Sequence, residues 1–273
     1  MVKTIEISRP EDLMPLLTDQ NYNRIIDRHR SSYLYRGMPD ASYHLNTSLR
    51  LNCKHQAKNI EPSIIRNFAK YAAIEDPSIQ ASVWHQMILG RHHGLPTRLL
   101  DWSYSPLIAL NFAMNERDLT RMALHDCAVW RMDMAELHSL LPKKYQTIRR
   151  ANKSTVFTVD MLQEVAPTLQ QYDADMGSAS MVVVEPPSVD PRIVNQYSFF
   201  SVIPSDMENI EQWLDQNTEH TCKYIIHKDL RWRLRDMLDQ LNINERIVYP
   251  GLDGLSAWLA RYYYVKEPKE DEK

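Results

Sequence analysis

The sequence predicts an α+β fold in one domain. Strand-like and helix-like segments are interspersed along the 273 residues, and 44% of the residues are hydrophobic, which is enough for a sizeable core. No internal repeat, low-complexity tract or convincing linker divides the chain. We therefore expect a single domain over residues 1–265, with an insertion or subdomain at about 134–180, followed by a charged, disordered tail at 266–273.

Hydrophobic periodicity assigns the elements of the first half. Apolar residues three or four positions apart predict helices, and short runs rich in aromatic or β-branched residues predict strands. The predicted segments are, in chain order, a strand and a helix over 5–30, a strand over Ser32–Gly37, an extended piece over Tyr43–Arg50, helices over Pro62–Ala73 and Ile79–Leu89, a strand over Arg98–Ser103, a helix that begins at Pro106, and a strand over Asp126–Asp133.

The second half opens with helices around a basic connector over 134–162. The connector carries five cations, whose usual role is to form a solvated face and whose alternative role is to contact nucleic acid: Lys143, Lys144, Arg149, Arg150 and Lys153. The segments predicted after it are a strand over Met181–Glu185, a helical turn over Pro191–Gln196, strands over Tyr197–Ile203 and Cys222–His227, a helix over Asp229–Leu241, a strand over Arg246–Tyr249, and a helix over Leu252–Tyr264.

Charge and cysteine content restrict the class of protein. The chain has 32 basic and 35 acidic residues, so its net charge of -3 gives no global attraction to nucleic acid or to an anionic membrane, and any phosphate binding must be local. The three cysteines lack metal-ligand spacing, and the N-terminus lacks an apolar signal region. These features, with no apolar run of about 18 residues, predict a reduced, cytoplasmic protein without a membrane span.

The stretch from Gly90 to Ser103 is the densest in chemically active side chains. It contains two glycines, two histidines, two arginines, an acid and a tryptophan, directly before the helix that begins at Pro106. Glycine allows the backbone to approach a ligand closely, and the Leu95-Pro96 step favours an extended chain. We expect these side chains to be presented from a loop and a strand end, as in a binding cleft.

Several kinds of chemistry are disfavoured for this stretch. His92 and His93 are adjacent and would point to opposite faces of a strand, and no cysteine or carboxylate spacing completes a metal site, so we expect no metal. No cysteine lies in the stretch to act as a nucleophile. Gly90 and Gly94 do not have the spacing of a Walker or dinucleotide-binding loop.

The remaining constellation suits a nucleotide-like ligand. It comprises Arg36, Arg91, His92, Arg98, Trp102 and Ser103. Guanidinium groups bind phosphates in a bidentate manner, an aromatic ring stacks on a flat base, and a hydroxyl orients a ribose or an amide. In the alternative, structural interpretation, Asp101 pairs with Arg98 or Arg36, Trp102 belongs to the core, and His92 bonds the backbone.

These residues resemble the FRG family, which is named for an aromatic-Arg-Gly motif. The matching segments are Tyr35-Arg36-Gly37, His92 to Ser103, Pro106 to Ala113, less strongly Arg192 to Gln196, and finally Tyr249 to Leu255. FRG domains are associated with bacterial mobile elements and phage defence. The resemblance therefore implies an effector protein, such as a toxin or an antiviral protein, with a neutralising antitoxin as a further partner.

A more distant resemblance is to ADP-ribosyltransferases of the Arg-Ser-Glu type. Their motif order is matched by Arg36, by Ser103 with its following helix, and by Gln196-Tyr197-Ser198. The resemblance implies a mixed, strongly bent sheet flanked by helices and NAD as the substrate. Ser198 stands where the catalytic glutamate of that family is expected, so Glu185 and Asp101 are the substitute carboxylates to consider.

The resemblances define two sets of site residues. The catalytic set is Arg36, Ser103, Gln196, Glu185 and Asp101, in which Arg36 would hold the NAD pyrophosphate and Ser103 would support the nicotinamide ribose. The cofactor-binding set is Arg36, Gly37, His92, Arg98 and Trp102. A carboxylate matters because cleavage of the nicotinamide glycosidic bond develops oxocarbenium charge, which an acid stabilises.

Three functions follow, in order of preference. The first is an NAD-dependent ADP-ribosyltransferase that modifies a macromolecular acceptor, either protein or nucleic acid. The second is a non-catalytic FRG module that binds a nucleotide or a partner protein. The third is a metal-independent nuclease that acts through His92 and Arg36.

Overall fold

A mixed sheet organises the chain in a computed structural model that describes residues 2–76, 79–80, 82–188 and 190–266. Eight of the described strands form this sheet in the order β1-β10-β6-β4-β5-β9-β8-β7, and β2 and β3 form a separate hairpin. The strands are β1 (Lys3–Ile7), β2 (Asn21–Asn23), β3 (Arg28–Arg30), β4 (Tyr33–Met38), β5 (Leu99–Ser103), β6 (Cys127–Asp133), β7 (Phe157–Thr158), β8 (Val182–Glu185), β9 (Ser198–Val202) and β10 (Cys222–Ile226).

Helices cover both faces of the sheet. The α-helices are α1 (Met14–Thr18), α2 (Ser48–Cys53), α3 (Ala57–Ala72), α4 (Val83–His92), α5 (Pro106–Ala113), α6 (Met134–Ser139), α7 (Lys143–Ala151), α8 (Val159–Val165), α9 (Leu169–Met176), α10 (Pro191–Asn195), α11 (Ile210–Asn217), α12 (Arg231–Gln240), α13 (Glu245–Val248) and α14 (Leu252–Tyr262). Short 3-10 helices lie at Pro10–Leu13, Lys54–Gln56, Leu119–Arg121 and Lys228–Leu230. Within the described ranges, none of the helices combines the length and apolarity that a bilayer crossing needs.

The side-chain alternation of β6 shows how the two faces are built. All seven residues of β6 are buried. Cys127 and Val129 pack with α5 and α12 on one face, whereas Trp130 and Met132 pack with α6 and α11 on the other. Because successive side chains of a strand point to opposite faces, a central strand that is covered on both sides carries apolar residues on both faces.

The contact between β4 and β5 is the weak point of the sheet. β4 pairs with β6 along six consecutive residues, and β5 pairs with β9 along five. Between β4 and β5, however, the only backbone pairing is that of Tyr35 with Ser103. The two halves of the sheet therefore separate beyond this pair, toward Arg36 on one strand and Asp101 on the other.

The predicted α+β class is confirmed, together with most predicted elements. The β4, β5, β6, β8, β9 and β10 strands and the α5, α10, α12 and α14 helices all lie where the sequence predicts them. The region at 134–180 adds β7 to the sheet beside β8, and its helices α7, α8 and α9 pack in one cluster with Leu99 and Phe200. The charged tail predicted at 266–273 lies outside the described residues, apart from Lys266.

Three predicted elements are wrong. The helix predicted within 5–30 is short, because its apolar spacing stops at Leu17 and residues 21–30 form the exposed β2–β3 hairpin. The extended piece predicted at 43–50 contains a helix start instead, because Thr47 Oγ1 accepts a hydrogen bond from the Arg50 amide. The strand predicted at 246–249 is helix α13, since a four-residue apolar run does not distinguish strand from helix.

Gly37 is required by the contact between β4 and α5. A Cβ atom on Gly37 would lie 1.9 Å from the backbone oxygen of Ala109 and 2.5 Å from the amide nitrogen of Ala113. Both atoms belong to the backbone of a buried helix, so they cannot move aside easily. The glycine of the aromatic-Arg-Gly motif thus has a packing role.

We expect Gly37→Ala to lower the free energy of unfolding by at least about 3 kcal/mol, because the methyl group overpacks a buried backbone contact. Gly177→Ala is the matched control. Gly177 has a φ of +53° and no atom within 4 Å of an added Cβ, so alanine there costs only about 1 kcal/mol of backbone strain. Urea titration measures both values, and equal destabilisation by the two substitutions would contradict the packing role.

Candidate nucleotide-binding cleft

A cleft of 580 Å³ opens where β4 and β5 separate. The sequence-predicted residues that border it are Arg36, Gly37, His92, Asp101, Trp102, Ser103 and Gln196. The structure therefore brings together the ends of β4, β5 and α10, which are far apart in the chain.

An Asp101 carboxylate held by two arginines forms the centre of the cleft. Arg36 Nη1 donates to the backbone oxygen of Asp101 at 2.8 Å and lies 3.4 Å from its Oδ2. Arg91 Nε donates to Oδ1 at 2.9 Å, and Arg91 Nη2 donates to Oδ2. The guanidinium of Arg36 thus spans the gap that the missing β4–β5 backbone pairing leaves open.

The electrostatics of this cluster follow from burial and pairing. Burial alone would raise the pKa of Asp101, but the hydrogen bonds and charge of Arg91, with the charge of Arg36, hold this pKa below its ordinary value. Burial lowers the pKa of Arg36 despite the attraction of Asp101. The Asp101 side chain remains 38% exposed, so a ligand in the cleft can reach this carboxylate.

Ser103 connects β5 to the turn that carries Gln196. The Ser103 hydroxyl donates to the backbone oxygen of Gln196 at 2.7 Å and accepts from the amide of Ser105 at 3.0 Å. The side-chain amide of Gln196 in turn donates to the backbone oxygen of Val248 at 3.1 Å. Because Ser103 is only 1% exposed, its hydroxyl organises the wall of the cleft in the described structure.

Further cations border the cleft. His92 Nε2 lies 3.0 Å from Oδ1 of Asp190, whose carboxylate caps α10 by accepting from the Arg192 amide. The guanidinium groups of Arg117 and Arg192 also face this space, and neither forms an ion pair with a described residue. Asp101 is the sole carboxylate among the residues that line the cleft. The arrangement favours an anionic ligand.

Aromatic side chains complete the cleft wall. Phe112 and Tyr249 lie 6.3 Å apart between ring centroids at an interplanar angle of 73°. The Tyr249 hydroxyl accepts from the side-chain amide of Asn115 at 3.4 Å. Such rings can contact the flat base or nicotinamide ring of a nucleotide.

Several residues that border the cleft have no role predicted from the sequence, among them Arg117, Arg192 and Tyr249. Arg192 and Tyr249 fall within segments that resemble the FRG family, which is the signal that could have identified them. No sequence pattern singles out Arg117.

Trp102 is a core residue in the structure. Its side chain points to the face of β5 opposite that of Asp101, in the cluster that contains Leu100, and only 3% of it is exposed. Its indole Nε1 donates to the hydroxyl of Ser201 at 3.0 Å. The predicted cofactor-binding role of Trp102 requires a ring face that can stack on a ligand. Its burial leaves no such face free.

Arg98 and Glu185 lie away from the cleft. The Arg98 guanidinium is buried, donates to both carboxylate oxygens of Glu61 at 2.9 and 3.0 Å, and bonds Asp173 Oδ1 at 2.6 Å. Glu185, at the end of β8, lines a different cavity. Of the two substitute carboxylates, the structure places only Asp101 beside Arg36.

No group of three or more metal-ligating side chains occurs in the part of the chain that the structure describes. The polar side chains that line the cleft include guanidinium groups, hydroxyls and the carboxylate of Asp101.

Comparison with known proteins supports the family resemblance over the first part of the chain, which contributes β4 and β5 to this cleft. Residues 31–121 match the FRG domain. This segment includes β4, β5 and α5, and hence Arg36, Asp101 and Ser103. No curated protein and no solved structure matches the chain.

The ion pairs of Asp101 predict a pH dependence of stability. The pKa of Asp101 in the folded protein lies below its ordinary value of 3.8, so its stabilisation is present above pH 3.8 and is lost as the pH falls through the lower, folded-state pKa. We expect Asp101→Asn to be less stable than the wild type at neutral pH and to approach it in acid.

Urea titration between about pH 3 and pH 7 tests this expectation, since acid protonates the native carboxylate. Asp236→Asn is the control, because the Asp236 side chain is exposed and has no polar partner among the described residues. A stability difference between wild type and Asp101→Asn that stays constant over the whole pH range would refute the assigned pairing.

The burial of Arg98 predicts a structural phenotype. Arg98→Met leaves Glu61, which is 1% exposed, without its cation, and we expect a loss of about 3 to 5 kcal/mol in unfolding free energy. Replacing both residues by methionine should restore part of the stability, because the uncompensated charge of Glu61 is then removed. Chemical denaturation of the single and double variants measures the effect, and a double variant no more stable than Arg98→Met would argue against it.

Proposed function

We propose that the cleft binds NAD and that the chain transfers ADP-ribose to a macromolecular acceptor. The observation that carries the proposal is the convergence of Arg36, Arg91, Arg117 and Arg192 around the single carboxylate of Asp101. Four guanidinium groups against one carboxylate leave a cation excess that suits a pyrophosphate.

The residues would divide the ligand between them. Arg36 lies nearest the gap in the sheet and would hold the pyrophosphate, with Arg192 as a second, unpaired cation. Phe112 and Tyr249 would contact a planar ring. Ser103 would act through the Gln196 turn, because its hydroxyl is already bonded to that backbone.

Asp101 would supply the carboxylate that the reaction needs. The bond between nicotinamide and the ribose carbon breaks, nicotinamide leaves with the electron pair, and an acceptor nucleophile forms the new bond while releasing its proton. Positive charge develops on the ribose, and a carboxylate nearby stabilises it. A pyrophosphate competing for Arg36 would weaken the 3.4 Å contact between Arg36 and Asp101 Oδ2, while Arg91 would still donate to this oxygen.

A second candidate function is nucleotide binding without turnover. It is favoured by the pairing of Arg91 with Asp101, which already neutralises the one carboxylate of the cleft, and by Ser198 at the position expected for a glutamate. The association of FRG domains with mobile elements and phage defence leads us to propose an effector role, as a toxin or antiviral protein, in either case.

Incubation of the purified protein with adenylate-labelled NAD and cell lysate tests both candidates. The transferase predicts a labelled macromolecule and free nicotinamide. Arg36→Ala should weaken NAD binding at least about tenfold, since a charged hydrogen bond is lost. Asp101→Asn should reduce nicotinamide release about 100-fold or more while NAD still binds.

Arg233→Ala serves as the matched control, because Arg233 is an exposed arginine on α12 that does not line the cleft. NAD binding by the wild type without nicotinamide release would identify the second candidate. Absence of both binding and release would exclude NAD as the ligand.

A further inference from the structure

A second cavity of 1110 Å³ lies beyond the start of β4. We call it the hairpin cavity, because the β2–β3 hairpin forms one of its walls, opposite Arg149 of α7 and Glu185 at the end of β8. Ser198 lines both this cavity and the Arg36 cleft. Ser198 is the first residue of β9 and pairs with Ser103.

The polar lining of the hairpin cavity is strongly basic. Arg24, Arg30 and Arg149 line it, and Glu185 is its one acidic lining residue. None of these four side chains forms an ion pair with a described residue. Unpaired guanidinium groups are available to bind an anion.

Arg149 is partly desolvated without a full set of partners. Its Nη1 donates to the backbone oxygen of Ser154 at 3.3 Å, whereas its buried Nε has no hydrogen-bond partner among the described residues. Burial, together with the charge of Arg149, lowers the pKa of the neighbouring His138 to about 4, so His138 is neutral near pH 7. A bound phosphate would supply the negative charge that this corner lacks.

Exposed aromatic rings lie beside these cations. Tyr104 is 39% exposed and Tyr197 is 59% exposed, and the Tyr104 ring lies 6.3 Å from Phe199. Tyr197 also has a φ of +49°, a conformation that is unfavourable for a bulky side chain. The strained backbone keeps the Tyr197 ring in solvent at the mouth of the cavity, and such strain favours a role of this ring in contacting a ligand.

Further exposed cations lie on α7 and just after its end. Lys143, Arg150 and Lys153 are exposed, and none of them pairs with a described carboxylate. Because the whole chain has a net charge of -3, this concentration of cations is local. Cations interleaved with exposed aromatic rings are the features that bind a flexible, single-stranded nucleic acid, through its phosphates and its unstacked bases.

We propose that the hairpin cavity binds single-stranded nucleic acid. Resting on the proposed transferase function, this strand is also the acceptor of ADP-ribose, because Ser198 borders both the hairpin cavity and the Arg36 cleft. An oxygen or nitrogen of the strand forms the new bond to the ribose carbon and releases a proton to solvent. Nicotinamide leaves with the electrons of the broken glycosidic bond.

Fluorescence anisotropy with labelled oligonucleotides of about 12 nucleotides tests the binding without NAD. Single-stranded RNA or DNA should bind more tightly than duplex DNA, because stacking on tyrosine needs unstacked bases. Arg30→Ala and Arg149→Ala should each weaken binding about fivefold at 0.1 M salt and reduce the salt slope by about 0.7. Tyr197→Ala should weaken it at least about fivefold.

Arg233→Ala is the control variant. It should keep wild-type affinity for the oligonucleotide, since Arg233 is exposed and does not line the hairpin cavity. Circular dichroism establishes that each variant is folded. Because Arg30 lies on β3 and Arg149 on α7, a folding defect in one variant would leave the other variant as a valid test. Affinity that is absent in the wild type, or unchanged in both arginine variants, would overturn the proposal.

The acceptor role has its own readout in the labelling reaction. Label that nuclease removes from the lysate product supports a nucleic-acid acceptor. Label that resists nuclease and disappears with protease overturns this acceptor, although the transferase itself stands. Oligonucleotide binding without any NAD turnover supports the binding site and refutes the transfer reaction, so the two failures remain distinguishable.

Discussion

The single backbone pairing of Tyr35 with Ser103 is the constraint on which the arrangement of the cleft depends. β4 pairs with β6, and β5 pairs with β9. The two halves of the sheet can therefore diverge beyond the Tyr35–Ser103 pair while the hydrogen bonds within each half are kept. Where the strands diverge, Arg36 of β4 donates to the backbone oxygen of Asp101 of β5. A structural requirement of the sheet thereby positions a guanidinium group in an open cleft.

Charge is distributed so that most buried cations are neutralised and a few at the surface are not. Arg98 and Arg261 are held by pairs of carboxylates, and they serve packing. Arg117 and Arg192 in the cleft, like the guanidinium groups of the hairpin cavity, have no such partner among the described residues. An unpaired surface cation contributes little to folding, and these cations are available to the anionic ligands that we propose for the two cavities.

Much of the fold could be predicted because its strands and helices have distinct periods. β6 begins with the apolar run Cys127–Trp130, and α5 begins with a Ser105 cap followed by Pro106, whereas α13 is too short for its period to be recognised. For the site, the motif spacing could predict that Arg36, Asp101 and Gln196 meet. It could not distinguish Arg91, which pairs with Asp101, from Arg98, which pairs with Glu61, because that choice depends on which face of the sheet each side chain reaches.

The proposed binding of NAD depends on the cation excess at the β4–β5 gap, which would hold the pyrophosphate. A crystal structure of the protein with ADP-ribose tests it most directly, since this molecule carries the pyrophosphate without the labile nicotinamide bond. We expect the pyrophosphate within hydrogen-bond distance of the Arg36 guanidinium, with Arg192 as its second cation and one ring of the ligand against Tyr249. A ligand bound elsewhere, or bound in the cleft with its pyrophosphate out of reach of Arg36, would contradict the claim.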